Sequence, residues 1–266
     1  AMDAPGLAAL GLSGRIGRAD RAAFEARERQ SPGGDGFRIS ERWAGGEAPS
    51  SDDELIVIRL VEPMASNAGA VGVNSRSIAR AREAIDMATR SGLPTATAGF
   101  ALSQGGQGVV VYQALYRGEP ASAEARQREL RGMVFATLRP EALLRTLGQD
   151  LPATLSLCLF DNGAAPGQRV LSASSPGCDE TPSSSLSPHA RLHVAPLPFA
   201  GRQWELRVTS RASSTTGISR TWPLALVSLA SAAMLGALLL TITGRARRIE
   251  TPVVERTAEL QQPAAD

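Results

Sequence analysis

The sequence predicts an α+β fold of two successive small units, followed by one membrane-spanning helix. Three observations lead to this fold class. Short apolar or alternating runs typical of strands are interspersed with helical periodicity through the first 210 residues. Apolar residues make up 43% of the 266-residue chain, which is enough for one large domain or two small ones. A stretch of 22 residues without a charge begins at Trp222.

The first unit combines strands and helices in a mixed order. Its clearest strand is ELIVIRLVEP, because β-branched and other apolar residues fill it until a proline ends it. The last two strands flank the SQGGQ turn and are predicted to form an antiparallel hairpin, as in the sensory PAS-type fold. The predicted elements are strand 7–16, helix 19–30, strand 37–43, strand 54–63, helix 75–91, strand 94–102 and strand 108–116.

Helix 75–91 has the best-defined ends. Asn74 or Ser75 can accept hydrogen bonds from the free N–H groups of its first turn. Gly92 suits the left-handed residue that ends a helix, and Pro94 prevents continuation. Asn74 has two interpretations, a helix cap or a ligand contact at a cavity mouth, and both can hold together.

The second unit is read as a smaller antiparallel sheet with one helix. Its predicted strands are 131–138, 153–161, 168–174, 191–199 and 202–210, and its predicted helix is 140–149. A Ser/Pro/Thr-rich loop interrupts it at 174–190. We therefore place a first domain at 1–125 and a second at 126–215.

The uncharged segment 222–243 predicts a transmembrane helix. A helix of that length spans about 33 Å, which matches the hydrocarbon core of a bilayer. Trp222 lies at one boundary, and the GRARR cluster with Arg245, Arg247 and Arg248 follows the other. The positive-inside rule then places residues 1–220 outside the inner membrane and residues 244–266 in the cytoplasm, as the start of a signalling coil.

The two cysteines and two histidines suggest no metal site. Cys158 lies in an apolar strand and Cys178 in a Ser/Pro/Gly loop. Outside the membrane these two can form a disulfide, and a buried thiol with a free loop thiol is the open alternative. His189 and His193 lack the helix and the further ligands that a zinc site needs.

Composition and motifs argue against nucleic-acid binding and catalysis. Basic residues number 28 and acidic residues 26, so no strong field attracts nucleic acid. Aromatic residues make up 4%, which is too few for a base-stacking platform. No nucleophile–base arrangement is evident, and Gly105–Gly106 is followed by neither the lysine nor the helix of a phosphate loop. We expect no enzyme activity and no cofactor.

The VEPxxxN spacing of Val61, Glu62, Pro63 and Asn67 is followed by a helix and a threonine-bearing strand. With this motif as its most specific part, the sequence resembles a CHASE domain, the extracytoplasmic sensor of bacterial and plant histidine kinases and cyclases. The resemblance covers residues 5 to about 150 and is weaker to about 210. Family members have a long stalk helix before the first strand. Here the chain begins after that point, so we expect the stalk to be missing.

The resemblance implies two stacked PAS-like units with the ligand in the distal one. In plant cytokinin receptors, an acidic residue and a backbone group of the next strand contact the adenine edge. Those positions fall here on Asn74 and Ala96. An amide at Asn74 departs from the acidic pattern, so both an adenine-derived ligand and a different one are open. Pocket positions on the hairpin fall at Phe100, Gln104, Tyr112 and Gln113.

Arg59 stands alone in the apolar strand 54–63. It would pair with an anionic ligand if it faced the pocket, although alternation with its neighbours favours the solvent side. Tyr112 and Gln113 lie on opposite faces of one strand, so at most one of them can line a cavity.

Three functions are compatible with these features. The first is a small-molecule sensor that signals across the membrane, and its ligand could be cytokinin-like. The second is a periplasmic protein-interaction module. The third is a structural spacer between dimer partners. For the sensor we expect a parallel homodimer, formed through the missing N-terminal helix and the coil after Arg248.

Overall fold

The computed structural model of the chain describes most of the first 210 residues. The described residues are 5–31, 33–42, 53–102, 105–174, 178, 191–210, 226–227 and 229–235. The chain divides into two compact units, Ala1–Ala212 and Ser213–Asp266. All the strands and helices named below belong to the first of these units.

This unit has a mixed α/β architecture built on two antiparallel sheets. The strands are β1 Leu7–Gly17, β2 Glu54–Glu62, β3 Thr95–Ala96, β4 Phe100–Ala101, β5 Gln107–Tyr116, β6 Leu130–Leu138, β7 Leu155–Asp161, β8 Val170–Ala173, β9 Arg191–Phe199 and β10 Arg202–Ser210. The α-helices are α1 Arg21–Arg29, α2 Met64–Asn67, α3 Ala79–Ser91, α4 Ala123–Glu129 and α5 Pro140–Gly148.

The first sheet has the strand order β2-β1-β6-β5-β3, and β4 pairs with the start of β5. Every neighbouring pair is antiparallel. Helix α3 packs against one face of this sheet through buried Ala81, Ala84, Ile85 and Ala88. Three of these four side chains are alanines, so the helix can lie close to the strands.

The second sheet has the strand order β8-β7-β10-β9, also antiparallel throughout. Buried Leu144 of α5 joins its apolar cluster. A disulfide joins Cys158 in β7 to Cys178, with 5.8 Å between their Cα atoms. The structure thus contains the pairing that the sequence left open.

Strand β6 occupies a different sheet from the one that the sequence predicted. The sequence predicts the segment 131–138 as the first strand of the domain 126–215. It lies in the centre of the first sheet, between β1 and β5. Alternation within a strand shows that one face is buried, but it does not show which distant strand pairs with it.

Three local predictions also need correction. The predicted strand 37–43 is described as far as residue 42, and in residues 37–42 the pairing is limited to a single bridge between Ser40 and Val73. The predicted strand 94–102 is split into β3 and β4, and the Thr97 hydroxyl between them accepts a hydrogen bond from the Val110 N–H. Helix α3 begins at Ala79, because residues 75–77 form a 3-10 turn.

The predicted transmembrane segment, 222–243, falls largely outside the described residues. Its described parts, 226–227 and 229–235, are helical. In the part of the chain that the structure describes, no helix is long and apolar enough to cross a membrane. The predicted cytoplasmic segment, 244–266, is outside the described residues.

Candidate functional site

A cavity of about 260 Å³ lies against the first sheet, on the side where α3 packs. One wall comes from the sheet strands β1, β2, β5 and β6. The opposite wall comes from the chain between α2 and α3, and residues 100–102 close one end. Its apolar lining consists of Ala9, Ile58, Val61, Ala70, Val73, Ile78, Phe100, Ala101, Leu102, Val110, Tyr112 and Phe135.

Glycine in β1 gives one wall its shape. Gly11 pairs with Phe135 of β6, and the Phe135 ring lies directly over it. A Cβ at position 11 would lie 2.2 Å from the Phe135 Cζ atom and 2.6 Å from the Leu60 carbonyl oxygen. The missing side chain therefore leaves the room in which this ring forms part of the cavity wall.

Polar groups on the lining include a buried phenol. Tyr112 is 4% exposed, and burial raises its pKa to about 12, although a hydrogen bond with the Ser75 side chain opposes the shift. At neutral pH the phenol is therefore uncharged, and it can donate or accept one hydrogen bond. Ser75 and Thr137 add two further hydroxyls to the lining.

Asn67 contributes an amide from the end of α2. It is 5% exposed, and its Nδ2 donates to the Pro63 carbonyl at 2.9 Å and to the Ser66 hydroxyl at 3.1 Å. These contacts tie the VEPxxxN segment into a compact turn beside the cavity. The motif that carries the sequence resemblance therefore shapes one wall of the site.

Arg42 is the charged residue of the described lining. Its backbone N–H donates to the Ser77 hydroxyl at 2.7 Å, and its guanidinium donates to the Gly69 carbonyl at 3.0 Å. The residue is exposed, which places it at the mouth of the cavity. No carboxylate of the described residues lies within ion-pair distance of it.

Two of the residues predicted for the site line the cavity. Phe100 and Tyr112 both contribute to its walls. Gln113 faces away on β5, where its Nε2 donates to the Gly92 carbonyl at 3.1 Å. Arg59 points to the outer surface and pairs with Glu28 at 2.8 Å, as strand alternation suggested. Gln104 is outside the described residues.

Asn74 and Ala96 are not among the residues that line the cavity. Asn74 is 1% exposed, and its Oδ1 accepts hydrogen bonds from the Arg76 and Ile56 N–H groups. It is the cap of the 3-10 turn before α3, and its side chain is held against the edge of β2. Ala96 is 2% exposed and packs into the apolar cluster of the second sheet.

Several lining residues were missed by the sequence reasoning. They are Ala9, Arg42, Ile58, Asn67, Phe135 and Thr137, among others of the lining. Asn67 had a usable signal, since it ends the VEPxxxN motif. Arg42 lay in a segment that was read as a strand and carried no motif. The β1 and β6 residues reach the cavity only through pairing between strands more than 100 residues apart.

Comparison with known proteins identifies the family. A solved structure, the extracellular ligand binding receptor from Desulfohalobium retbaense DSM5692, is 8% identical with a TM-score of 0.43, too low to support an argument. That match covers 58% of this chain and 28% of the receptor. No curated protein matches. The CHASE domain model matches residues 1–171. The chain therefore belongs to the CHASE domain family, and this region is an extracytoplasmic sensor domain.

Proposed function

We propose that the chain is the small-molecule sensor region of a transmembrane signalling receptor of the histidine kinase or nucleotide cyclase type. Ligand state would pass through a membrane helix at 222–243 to a cytoplasmic output module, where any catalysis would reside. The supporting observation is the cavity of about 260 Å³ inside the sensor domain. Apolar walls with a few convergent polar groups are typical of small-molecule sites.

The size and lining of the cavity limit the ligand. Ligand pockets usually measure about 300–1,000 Å³, so this one suits a small molecule. An adenine-derived, cytokinin-like ligand is one candidate, because Asn67, Ser75 and Tyr112 can offer both donors and acceptors to a purine. Asn74 and Ala96 do not support it, since neither lines the cavity.

The domain arrangement belongs to this proposal. We assign the first sheet with α3 to the membrane-distal PAS-like unit, which holds the ligand, and the second sheet to the membrane-proximal unit. Because β6 lies in the first sheet, we propose a boundary at about 139 in place of 125. The membrane-proximal unit then runs from α5 to the end of β10, the last strand before the predicted membrane segment.

A ligand screen on the purified chain tests the sensor function. Compounds, adenine derivatives included, are ranked by the rise in unfolding temperature that binding to the native state produces. Ala101→Trp places an indole on the exposed part of the cavity wall and should abolish the rise. Ala173→Trp alters an exposed strand end away from the cavity and should leave it intact. Compounds that still raise the unfolding temperature of the Ala101→Trp variant would argue against a sensor cavity here, as would the absence of any such compound for the parent chain.

Membrane topology is tested separately by reporter fusions. Fusions after Ser210 and after Thr257 should report opposite compartments if 222–243 spans the inner membrane. The same compartment for both fusions would contradict the transmembrane part of the proposal and leave the cavity unaffected.

A second candidate function is a protein-interaction module or a spacer between dimer partners. One observation favours it, the exposed apolar side chains on strands of the first sheet. Leu60 of β2 is 60% exposed, while Leu10, Val134 and Leu115 are 37–39% exposed. Sedimentation of the purified chain tests this second candidate. A dimer that Leu60→Asp dissociates would support an interface on this surface, and a Leu60→Asp variant that sediments like the parent would not.

A further inference from the structure

The charge on the described cavity lining is positive only. Arg42 is the charged member of the described lining, and the remaining polar members, Asn67, Ser75, Tyr112 and Thr137, are neutral. The phenol stays protonated at neutral pH, so it adds no negative charge. A cationic ligand would therefore meet an arginine and no carboxylate of the described lining, whereas an anion would meet a complementary charge.

Arg42 is held in place, and most of its guanidinium donors have no acceptor among the residues that the structure describes. The Ser77 hydroxyl fixes its backbone, and the Gly69 carbonyl accepts from one guanidinium nitrogen. A guanidinium carries five N–H donors in a planar fork that matches a carboxylate with two parallel hydrogen bonds. Because the side chain is exposed, it can meet a ligand without first losing a buried ion-pair partner.

The rest of the lining has a different character. Ile58, Val110 and Phe135 belong to the apolar core and form the sheet wall of the cavity. A molecule that fits both regions has an apolar body and one anionic end. A ligand with several charges would place some of them against these walls without partners, which is costly.

We propose that the cavity binds a small carboxylic acid with an apolar body, its carboxylate on Arg42 and its body against Phe135 and Ile58. This inference rests on the proposed sensor function and specifies its ligand class. The neutral groups at Ser75 and Tyr112 can hold one further polar group on the body of the ligand.

The test compares acids with their neutral amides on the full purified chain. The panel is benzoate, phenylacetate, 3-phenylpropionate, hexanoate and octanoate, each with its primary amide, and affinity is measured by calorimetry. At least one acid should bind about tenfold or more tightly than its amide. Arg42→Gln should weaken that acid about tenfold to hundredfold, the range for a charge-assisted hydrogen bond, and leave the amide unchanged.

Two further variants control for folding and for net charge. Arg42→Lys keeps the charge without the fork and should retain part of the acid affinity. Arg59→Gln removes an arginine that pairs with Glu28 on the outer surface, and should retain all of it. The unfolding temperature of each unliganded variant shows whether an affinity change reflects misfolding.

Each outcome bears on one proposal or on both. Acids and amides that bind equally, or an Arg42→Gln variant with unchanged acid affinity, would overturn the carboxylate inference and leave the sensor function standing. Binding by purines with no binding by the acid panel would have the same consequence. No binding by the acid panel and no hit in the broader screen would count against both.

Discussion

Replacement of Asn74 by alanine separates a structural role from a ligand-binding one. The Asn74 Oδ1 accepts from the Ile56 N–H at 3.1 Å and from the Arg76 N–H at 3.2 Å. Its Nδ2 donates to the Glu41 carboxylate at 3.3 Å. The side chain is 1% exposed, so water cannot readily replace these partners in the variant.

The expected loss of stability follows from these contacts. Loss of a helix cap costs about 1 kcal/mol. The Ile56 N–H lies on the edge of β2 that faces away from β1 and is buried, so leaving it without an acceptor costs about a further 1–3 kcal/mol. Asn74→Ala should therefore lower the free energy of unfolding by about 2–4 kcal/mol, more than a cap alone would give.

Urea unfolding of the purified chain, followed by circular dichroism, measures this change. The midpoint should fall while the slope stays constant, since the variant exposes the same surface on unfolding. Asn162→Ala is the matched control, because that asparagine is exposed and its contact with Glu205 has water as a substitute. It should change the free energy of unfolding by less than about 1 kcal/mol.

Ligand affinity provides the decisive comparison. At a temperature where both proteins are folded, Asn74→Ala should bind any ligand of the cavity with the parent affinity, because Asn74 does not line the cavity. An unchanged unfolding midpoint together with lost binding would refute this reasoning and would indicate that Asn74 contacts the ligand.

Three other substitutions probe the remaining cores and the acid response by the same unfolding assay. Ala96→Trp should destabilise by about 1–3 kcal/mol or more, because Ala96 is 2% exposed in a packed cluster, and parent stability would show that space exists there. Asp161→Asn should cost about 3 kcal/mol, since its fully buried carboxylate accepts from Arg202 Nε at 2.6 Å, and a loss under 1 kcal/mol would contradict this. A hydrogen bond from the Ile39 N–H holds the pKa of Glu25 below its usual value against the opposing effect of burial, with help from Arg21. The stability from Glu25 is therefore present above the ordinary glutamate pKa and lost as pH falls through the lowered one, so Glu25→Gln should flatten the acid side of the stability profile.

The elements were predictable where their signals are local. Strand β2 is a run of β-branched and apolar residues, and the end of α3 follows from Gly92, which adopts a left-handed φ of 73°. The start of α3 was misplaced by four residues. Asn74 does cap a turn, but Ile78 is extended, and it separates that turn from the helix. Periodicity does not reveal such an interruption, because Ile78 also fits the helical repeat.

The site was less predictable, because a void is a property of the assembled sheet. Tyr112 and Phe100 could be placed by resemblance on strands next to a hairpin. The contribution of Phe135 depends on pairing between β6 and β1, and on the absence of a side chain at Gly11. An apolar pattern predicts that such residues are buried, but it does not distinguish a packed neighbour from a cavity. Ala96 shows the converse: its small side chain suggested an empty space beside it, but Ala96 is packed in an apolar cluster.

Strand β5 connects the candidate site to the second sheet. Val110 and Tyr112 face the cavity, while Val109 and Val111 pack into the cluster with Leu159 and Trp204 of the second sheet. Alternation along one strand therefore places cavity wall and inter-sheet packing on neighbouring residues. Packed side chains resist small displacements, so a ligand that moved β5 would also disturb the second sheet. Along the chain, β10 is the last strand of that sheet. A single strand, β5, and the apolar cluster behind it thus join the cavity to the second sheet.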